Sequence, residues 1–327
     1  MPPSQQVRIL PSNQNPLGAL PARFRRERVL IVGCGDVGLR VASALQHGQV
    51  HTGRRPRVLA LTRGGPRMAE LRMRGVTPLL GDLDQAASIR RLAGLATRIV
   101  HLAPPPNSSQ ELGPWWLDPR TTVLLRALHL RSRPRSLVYG STSGVYGDCK
   151  GAKVFESRPA APSTARAQRR VNAELAVRFA GRLGQRASIL RIPGIYAPDR
   201  AGGTPRARLL RGTPVLRSED DVFTSHIHAD DLARACLLAL WRGRPQRTYN
   251  VCDDSELRMG DYFDLAADIY GLPRPARISR PQAQRELPLS LLSFMGESRR
   301  LDNGRLKHEL GLRLRYPHVA LGLSEDG

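Results

Sequence analysis

The segment Gly33-Cys-Gly-Asp-Val-Gly38 has the spacing GxGxxG. It follows a short apolar run, Arg28–Val32, and leads into a stretch whose Val41, Ala42 and Leu45 share one helical face. A glycine turn between a strand and a helix is built to take a pyrophosphate. Gly33 permits the tight turn, Gly35 lets the backbone approach the phosphates, and Gly38 lets the helix pack close to the strand. The free N–H groups around Asp36 and Val37, with the positive end of the helix, complete the anion site. The second strand ends Leu61-Thr62-Arg63-Gly64. No carboxylate stands there to read a ribose, and the Arg63 guanidinium can fork onto a phosphate. That favours NADP, with its 2′-phosphate, and leaves NAD as the alternative. Asp82, in Gly81-Asp82-Leu83 after the third strand, is placed to meet the adenine edge beside Leu83, or to cap the next helix. Leu102 and Ala103, at the end of the fourth strand, complete the candidate cofactor contacts.

Two further groups invite chemistry. His226-Ile-His-Ala-Asp-Asp231 puts two imidazoles on one face of a strand, a possible metal pair, but the plainer reading is a helix start capped by Asp230 or Asp231, with no metal. Trp115-Trp116 lies in a Pro/Gly loop, where the choice is between stacking on a ligand and packing in the core.

These residues need a scaffold. Short β-branched runs at 28–32, 57–62, 77–80, 98–102 and 136–139 alternate with helix-like stretches at 66–73, near 85–92 and at 121–130. Strands separated by helices of this length make parallel βαβ units, so the expected fold is α/β with a doubly wound, mostly parallel sheet. A long helix over 164–183 leads to a strand at 188–192. Gly and Pro then cluster from 194 to 214, and 247–251 reads as a strand returning to the sheet. The expected division is a disordered extension at 1–26, a dinucleotide-binding domain at 27–190 plus about 222–253, and a smaller lobe at 191–221 plus 254–320 over the substrate.

Composition narrows the classes. A chain of 327 residues with 41% apolar content can bury a core. Its longest apolar stretch, Ala235 to Trp241, is too short to span a bilayer. Four cysteines without a CxxC pair point away from disulfides and cysteine zinc sites, toward a reducing cytoplasm. The net charge of +23 comes from arginine spread along the whole chain, with lysine only at 150, 153 and 307. No basic run is interleaved with aromatics, so nucleic acid is not the expected partner.

Four segments taken together resemble the extended short-chain dehydrogenase/reductase superfamily in its NAD-dependent epimerase/dehydratase branch. They are the glycine turn, Gly140-Ser-Thr-Ser-Gly-Val-Tyr-Gly147, Leu190-Arg-Ile-Pro-Gly-Ile-Tyr-Ala-Pro198 and His226-Ile-His-Ala-Asp-Asp-Leu-Ala233, and the likeness extends over about residues 28–315. The resemblance implies a Rossmann domain holding NAD(P) and a lobe over a small-molecule substrate, often a nucleotide sugar, with hydride transfer at the nicotinamide C4. Its catalytic Ser/Thr falls on Thr142, which would polarise the substrate oxygen. Its Tyr-x-x-x-Lys falls on Arg166 and Arg170. Arg170 can replace the lysine as a ribose or phosphate contact, but an arginine stays protonated and cannot act as the tyrosine's acid/base. Tyr146-Gly-Asp-Cys-Lys150 spells the same motif inside a loop of turn formers, and Tyr146 is the candidate substitute acid. Two functions stay open: an oxidoreductase or epimerase, and a catalytically inactive dinucleotide-binding sensor or scaffold. A homodimer is the assembly left open.

Overall fold

The computed structural model describes residues 27–48, 55–106 and 114–324. The expected disordered extension at 1–26 lies outside the described residues.

Seven parallel strands form the central sheet: β1 (Arg28–Val32), β2 (Arg57–Thr62), β3 (Thr77–Leu80), β4 (Arg98–His101), β5 (Ser136–Thr142), β6 (Arg186–Ile192) and β7 (Arg247–Asn250). Their spatial order is β7-β6-β5-β4-β1-β2-β3. The chain therefore winds outward from β1 through β2 and β3, crosses back to β4, and continues the other way. The order reverses between β1 and β4, and a crevice opens outside the strand ends at such a switch point.

Side chains alternate across the sheet, as a strand's two-residue period requires. Val29 and Ile31 of β1 and Val58 and Ala60 of β2 face one core, with Val41 and Leu45 of α1 (Asp36–His47). Leu30, Val32, Leu59 and Leu61 face the other. That second core is closed by α4 (Pro119–Leu128) and α5 (Ala165–Arg182), which follow α2 (Pro66–Met73) and α3 (Ala86–Ile89). A short helix α6 (Arg206–Leu210) precedes α7 (Ala229–Arg242), which covers the first core with Leu232, Cys236 and Leu240. Apolar faces on both sides explain why these strands read as continuous hydrophobic runs.

A third apolar cluster gathers Tyr196, Leu209, Leu216, Tyr262, Phe263 and Val319 beyond the strand ends. Short paired strands frame it: 215–216 beside 277–278, and 223–224 against 257–258. Farther along, Leu306, Leu310 and Leu312 return to the first core against the sheet.

Several boundaries differ from expectation: β6 begins at Arg186 rather than 188, β4, α4 and β7 end one or two residues early, and two further shifts have a clear physical cause. β5 continues past Tyr139 to Thr142, because its ladder to β6 runs on to Thr142 opposite Ile192. Gly140-Ser-Thr reads locally as a turn, and the neighbouring strand overrides that preference. α4 starts two residues early, with the Asp118 carboxylate accepting from the Thr121 N–H and Pro119 in the first helical position.

Candidate cofactor and substrate site

The glycine turn sits at the switch point. Ala103 and Leu102 donate their N–H groups to the Val32 carbonyl, at 3.1 and 2.7 Å, which binds the end of β4 to the end of β1. Gly33 has φ +88°, and a Cβ there would lie 2.2 Å from the Ala103 nitrogen. A Cβ at Gly38 would lie 2.8 Å from the Gly33 carbonyl oxygen. Around a Cβ on Gly35 there is no atom within 4 Å. Gly33 and Gly38 are thus required by the protein's own packing, whereas the space at Gly35 is open. A cleft of about 300 Å³ occupies this region, lined by Gly35, Val37, Leu102, Thr142, Arg170 and Arg200. The open Gly35 face and the N-terminus of a 12-residue helix fit a dinucleotide pyrophosphate.

The candidate adenosine end is a separate hollow of about 500 Å³ that holds Arg63, Gly81, Asp82 and Arg91. Arg63 is exposed there. Asp82 does not cap α3: the N-cap residue is Gln85, and the Asp82 carboxylate accepts the Asp84 N–H at 3.1 Å in the preceding turn. Leu83 packs against the second core instead of lining the hollow.

Thr142 ends β5 at the junction of two spaces. It lines the cofactor cleft and a second cavity of about 420 Å³, and its Oγ1 accepts the Gly144 N–H at 3.3 Å. Arg170, one turn into α5, donates to the Tyr139 hydroxyl at 3.1 Å and to the Gly140 carbonyl at 2.7 Å. Those bonds hold its guanidinium at the wall of the cofactor cleft. Arg166, one turn earlier, is exposed at the larger cavity, with its guanidinium 5.1 Å from the Phe294 ring.

Tyr146, expected as the substitute acid, lines neither cleft. It is 1% exposed and donates its hydroxyl to Asn250 Oδ1 at 2.7 Å. Its ring lies 4.5 Å from the Arg191 guanidinium, which pairs with Glu174 at 2.8 Å in a buried bridge. Burial raises the Tyr146 pKa, with the Arg191 charge opposing that rise. The turn that follows sends Lys150 outward, with φ +52°. Local spelling of the motif could not reveal this, because the partners come from β7 and β6.

The larger cavity holds polar groups that sequence reasoning did not assign to a ligand. Arg208 of α6 lies with its guanidinium 4.3 Å from the Phe263 ring, and its Nε and Nη2 are buried without a hydrogen-bond partner. The His226 ring stacks on Tyr262 at 4.2 Å, and burial pushes its pKa down to about 4, so it is neutral at pH 7. Behind Tyr196, which also lines the cavity, burial raises the Asp253 carboxyl to about 8. His226 was noticed only as half of a His-x-His pair and Tyr196 only inside a family segment, and Arg208 and Asp253 carry no local spacing that marks them.

α7 is capped by His228, whose Nδ1 accepts the Asp230 N–H at 3.2 Å, and not by Asp230 or Asp231. Asp230 instead binds Arg40 at 2.6 Å, and Asp231 accepts the backbone N–H groups of Arg315 and Tyr316. Among the described residues no three His, Cys, Asp or Glu side chains gather as a metal would require. Trp115 and Trp116 are 57% and 41% exposed, which excludes core packing for both. The four cysteines are buried free thiols. No helix among the described residues is long and apolar enough to cross a membrane.

Comparison with known proteins agrees with this architecture. The model of the NAD dependent epimerase/dehydratase family matches residues 29–252, and the chain belongs to that family. Among solved structures it is similar to a functionally unknown conserved protein from Silicibacter pomeroyi, with 29% identity over 91% of this chain and 96% of that one, TM-score 0.73. It shares its fold with a dTDP-glucose 4,6-dehydratase from Streptomyces venezuelae, solved with NAD and TYD bound (23% identity, 91% and 94% covered, TM-score 0.69). A UDP-N-acetylglucosamine 4-epimerase from Bacillus cereus has the same fold at 17% identity, with 91% and 97% covered and TM-score 0.67. A search of curated sequences found no significant match.

Proposed function

We propose that the protein binds NADP, in preference to NAD, and acts as an oxidoreductase or epimerase on a nucleotide sugar or a small hydroxy or keto compound. The observation that carries the reading is the open Gly35 face between two glycines that packing requires, set at the sheet's switch point. In this reading residues 27–190 and about 222–253 hold the dinucleotide, and 191–221 with 254–320 form the substrate lobe. The nicotinamide supplies a hydride acceptor or donor when bound.

This chain's own residues do the rest. Backbone N–H groups at Asp36 and Val37 face the pyrophosphate. Arg170, pinned to Tyr139 and Gly140, takes the ribose contact of the family's lysine. Thr142 presents its hydroxyl at the junction of the two spaces, where a substrate carbonyl or hydroxyl would meet it. Arg208, with unpartnered N–H groups in the cavity wall, suits the phosphates of a nucleotide sugar. The buried free thiols suit a cytoplasmic setting.

A second reading is favoured by one observation: Arg166 occupies the tyrosine position and Tyr146 is buried away from the cavity. Under it the protein binds the dinucleotide without turnover. Titration with NADPH and NADH, followed by incubation with UDP-glucose and dTDP-glucose while absorbance at the nicotinamide band is read, separates the two. Cofactor binding with a change in band or sugar configuration supports the enzyme; binding with neither across the sugars supports the sensor. Absence of cofactor binding refutes both.

A further inference from the structure

One loop touches both spaces. After the strand at 194–196, the chain runs through Pro198, Asp199 and Arg200 to Gly202–Pro205 and α6. Arg200 lines the cofactor cleft beside Gly35 and Asp36, while Gly202, Thr204 and Arg208 line the substrate cavity. The Arg200 Nε lies 3.2 Å from the Asp36 carboxylate, in the first turn of α1, and its Nη1 donates to the Ile195 carbonyl at 2.8 Å. The side chain is 29% exposed, so it retains open donors toward the cleft.

The charges around it do not balance. Arg40 holds Asp36 at 3.3 Å and Asp199 and Asp230 at 2.6 Å each. With Arg200 added, two guanidinium groups face three carboxylates, leaving one net negative charge beside the place where a pyrophosphate must sit. Arg40 is committed to three partners, and its hydrogen bonds to Asp230 and Asp199 raise its pKa against the lowering effect of burial. Arg200 is the cation of this network with capacity to spare.

We propose that Arg200 is a pyrophosphate clamp supplied by the lobe, which fastens the loop Pro198–Pro205 over the bound dinucleotide and so shapes the substrate cavity when the cofactor arrives. This rests on the dinucleotide reading of the Gly33–Gly38 turn. The clamp reaches a phosphate oxygen with its remaining N–H donors while its Nε stays on Asp36, which Arg40 also holds at 3.3 Å. Because α6 follows directly, fastening the loop also holds Arg208 where it already lines the second cavity. The order of binding is then cofactor first and substrate second.

The test uses the full-length chain and its Arg200→Ala and Arg200→Lys variants. NADH, NADPH, ADP-ribose and 5′-AMP are titrated at fixed ionic strength, and trypsin cleavage at Arg206, Arg208 and Arg211 is followed with and without NADPH. The expected result for Arg200→Ala is about a tenfold loss of affinity for the three pyrophosphate ligands, by the strength of a charge-assisted bond. Affinity for 5′-AMP should change much less, and Arg200→Lys should recover most of the loss. NADPH should slow cleavage of the wild-type loop and fail to protect Arg200→Ala at saturating ligand. Unchanged dinucleotide affinity in a folded Arg200→Ala protein, or an equal loss for 5′-AMP, overturns the clamp while the cofactor reading stands. Wild-type protein that binds none of the ligands overturns both.

Discussion

The three glycines of the turn separate folding from ligand binding, and alanine substitutions at Gly33 and Gly35 should show it. At Gly33 the backbone has φ +88° and the new Cβ would lie 2.2 Å from the Ala103 nitrogen. The left-handed backbone costs an L-residue about 1–2 kcal/mol. Overlap with backbone that is held by bonds to Val32 adds about 1–3 kcal/mol more. A total of about 3 kcal/mol should lower Tm by roughly 4 °C in a chain of 327 residues. At Gly35 the backbone has φ −78° and the Cβ meets nothing within 4 Å. Gly35→Ala should therefore cost less than about 1 kcal/mol, the difference between glycine and alanine at a helix N-cap. Its effect should fall on the ligand, because the methyl stands where the phosphates approach: NADPH and NADH affinity should both drop tenfold or more. Thermal melts and fluorescence titration of each variant give the two readings. Gly35→Ala protein that melts and binds as wild type would show that the open face is not the pyrophosphate site. Gly33→Ala protein with unchanged Tm would refute the packing argument.

Arg63→Ala should remove a preference for NADPH over NADH of about tenfold, since a bond to a charged group is worth about 1.5–3 kcal/mol, and leave NADH affinity nearly unchanged; equal wild-type affinities in paired titrations would reject Arg63 as the selector. Tyr146→Phe should leave any measured turnover within about twofold and cost about 1–3 kcal/mol in denaturant unfolding, because Asn250 Oδ1 loses its buried donor; a hundredfold loss of turnover would restore Tyr146 as an acid. Asp253 should make stability fall as pH rises. Its folded pKa of about 8 lies above the ordinary carboxyl value, so its contribution is fully present below about pH 4 and is lost as pH climbs through 8. Asp253→Asn should flatten the melting profile between pH 5 and 8, and an unchanged slope would contradict the buried, protonated carboxyl.

Much of the Rossmann half was legible because its signals are local. β1, β2 and β3 and the helix α2 have the bounds that their apolar runs, β-branched residues and glycine or proline punctuation indicate. The glycine turn was equally plain from its spacing between a strand and a helix, although the demand on Gly33 comes from Ala103 at the end of β4 and only that on Gly38 from within the turn. Beyond Ile192 the elements are short, and the code of any one stretch carries little periodicity. Arg208, His226 and Tyr262 meet at one cavity only because the lobe folds back over the strand ends. The capping of α7 also escaped sequence reasoning: two aspartates follow the cap, but the backbone gives the role to His228.

From the residues alone came the alternating strands and helices, the phosphate turn and the family resemblance. Each depends on patterns that the chain repeats within a few residues, whatever surrounds it. Tertiary structure alone decided which of the two candidate segments lines a cavity. Tyr146 and Lys150 are close in sequence, but Asn250 and Arg191 draw the tyrosine into the interior while a left-handed turn sends the lysine outward. It also decided that one loop should serve two clefts, because Arg200 reaches Asp36 across 164 positions of chain. Contacts of that range are set by how the lobe packs on the sheet, and no local spacing records them.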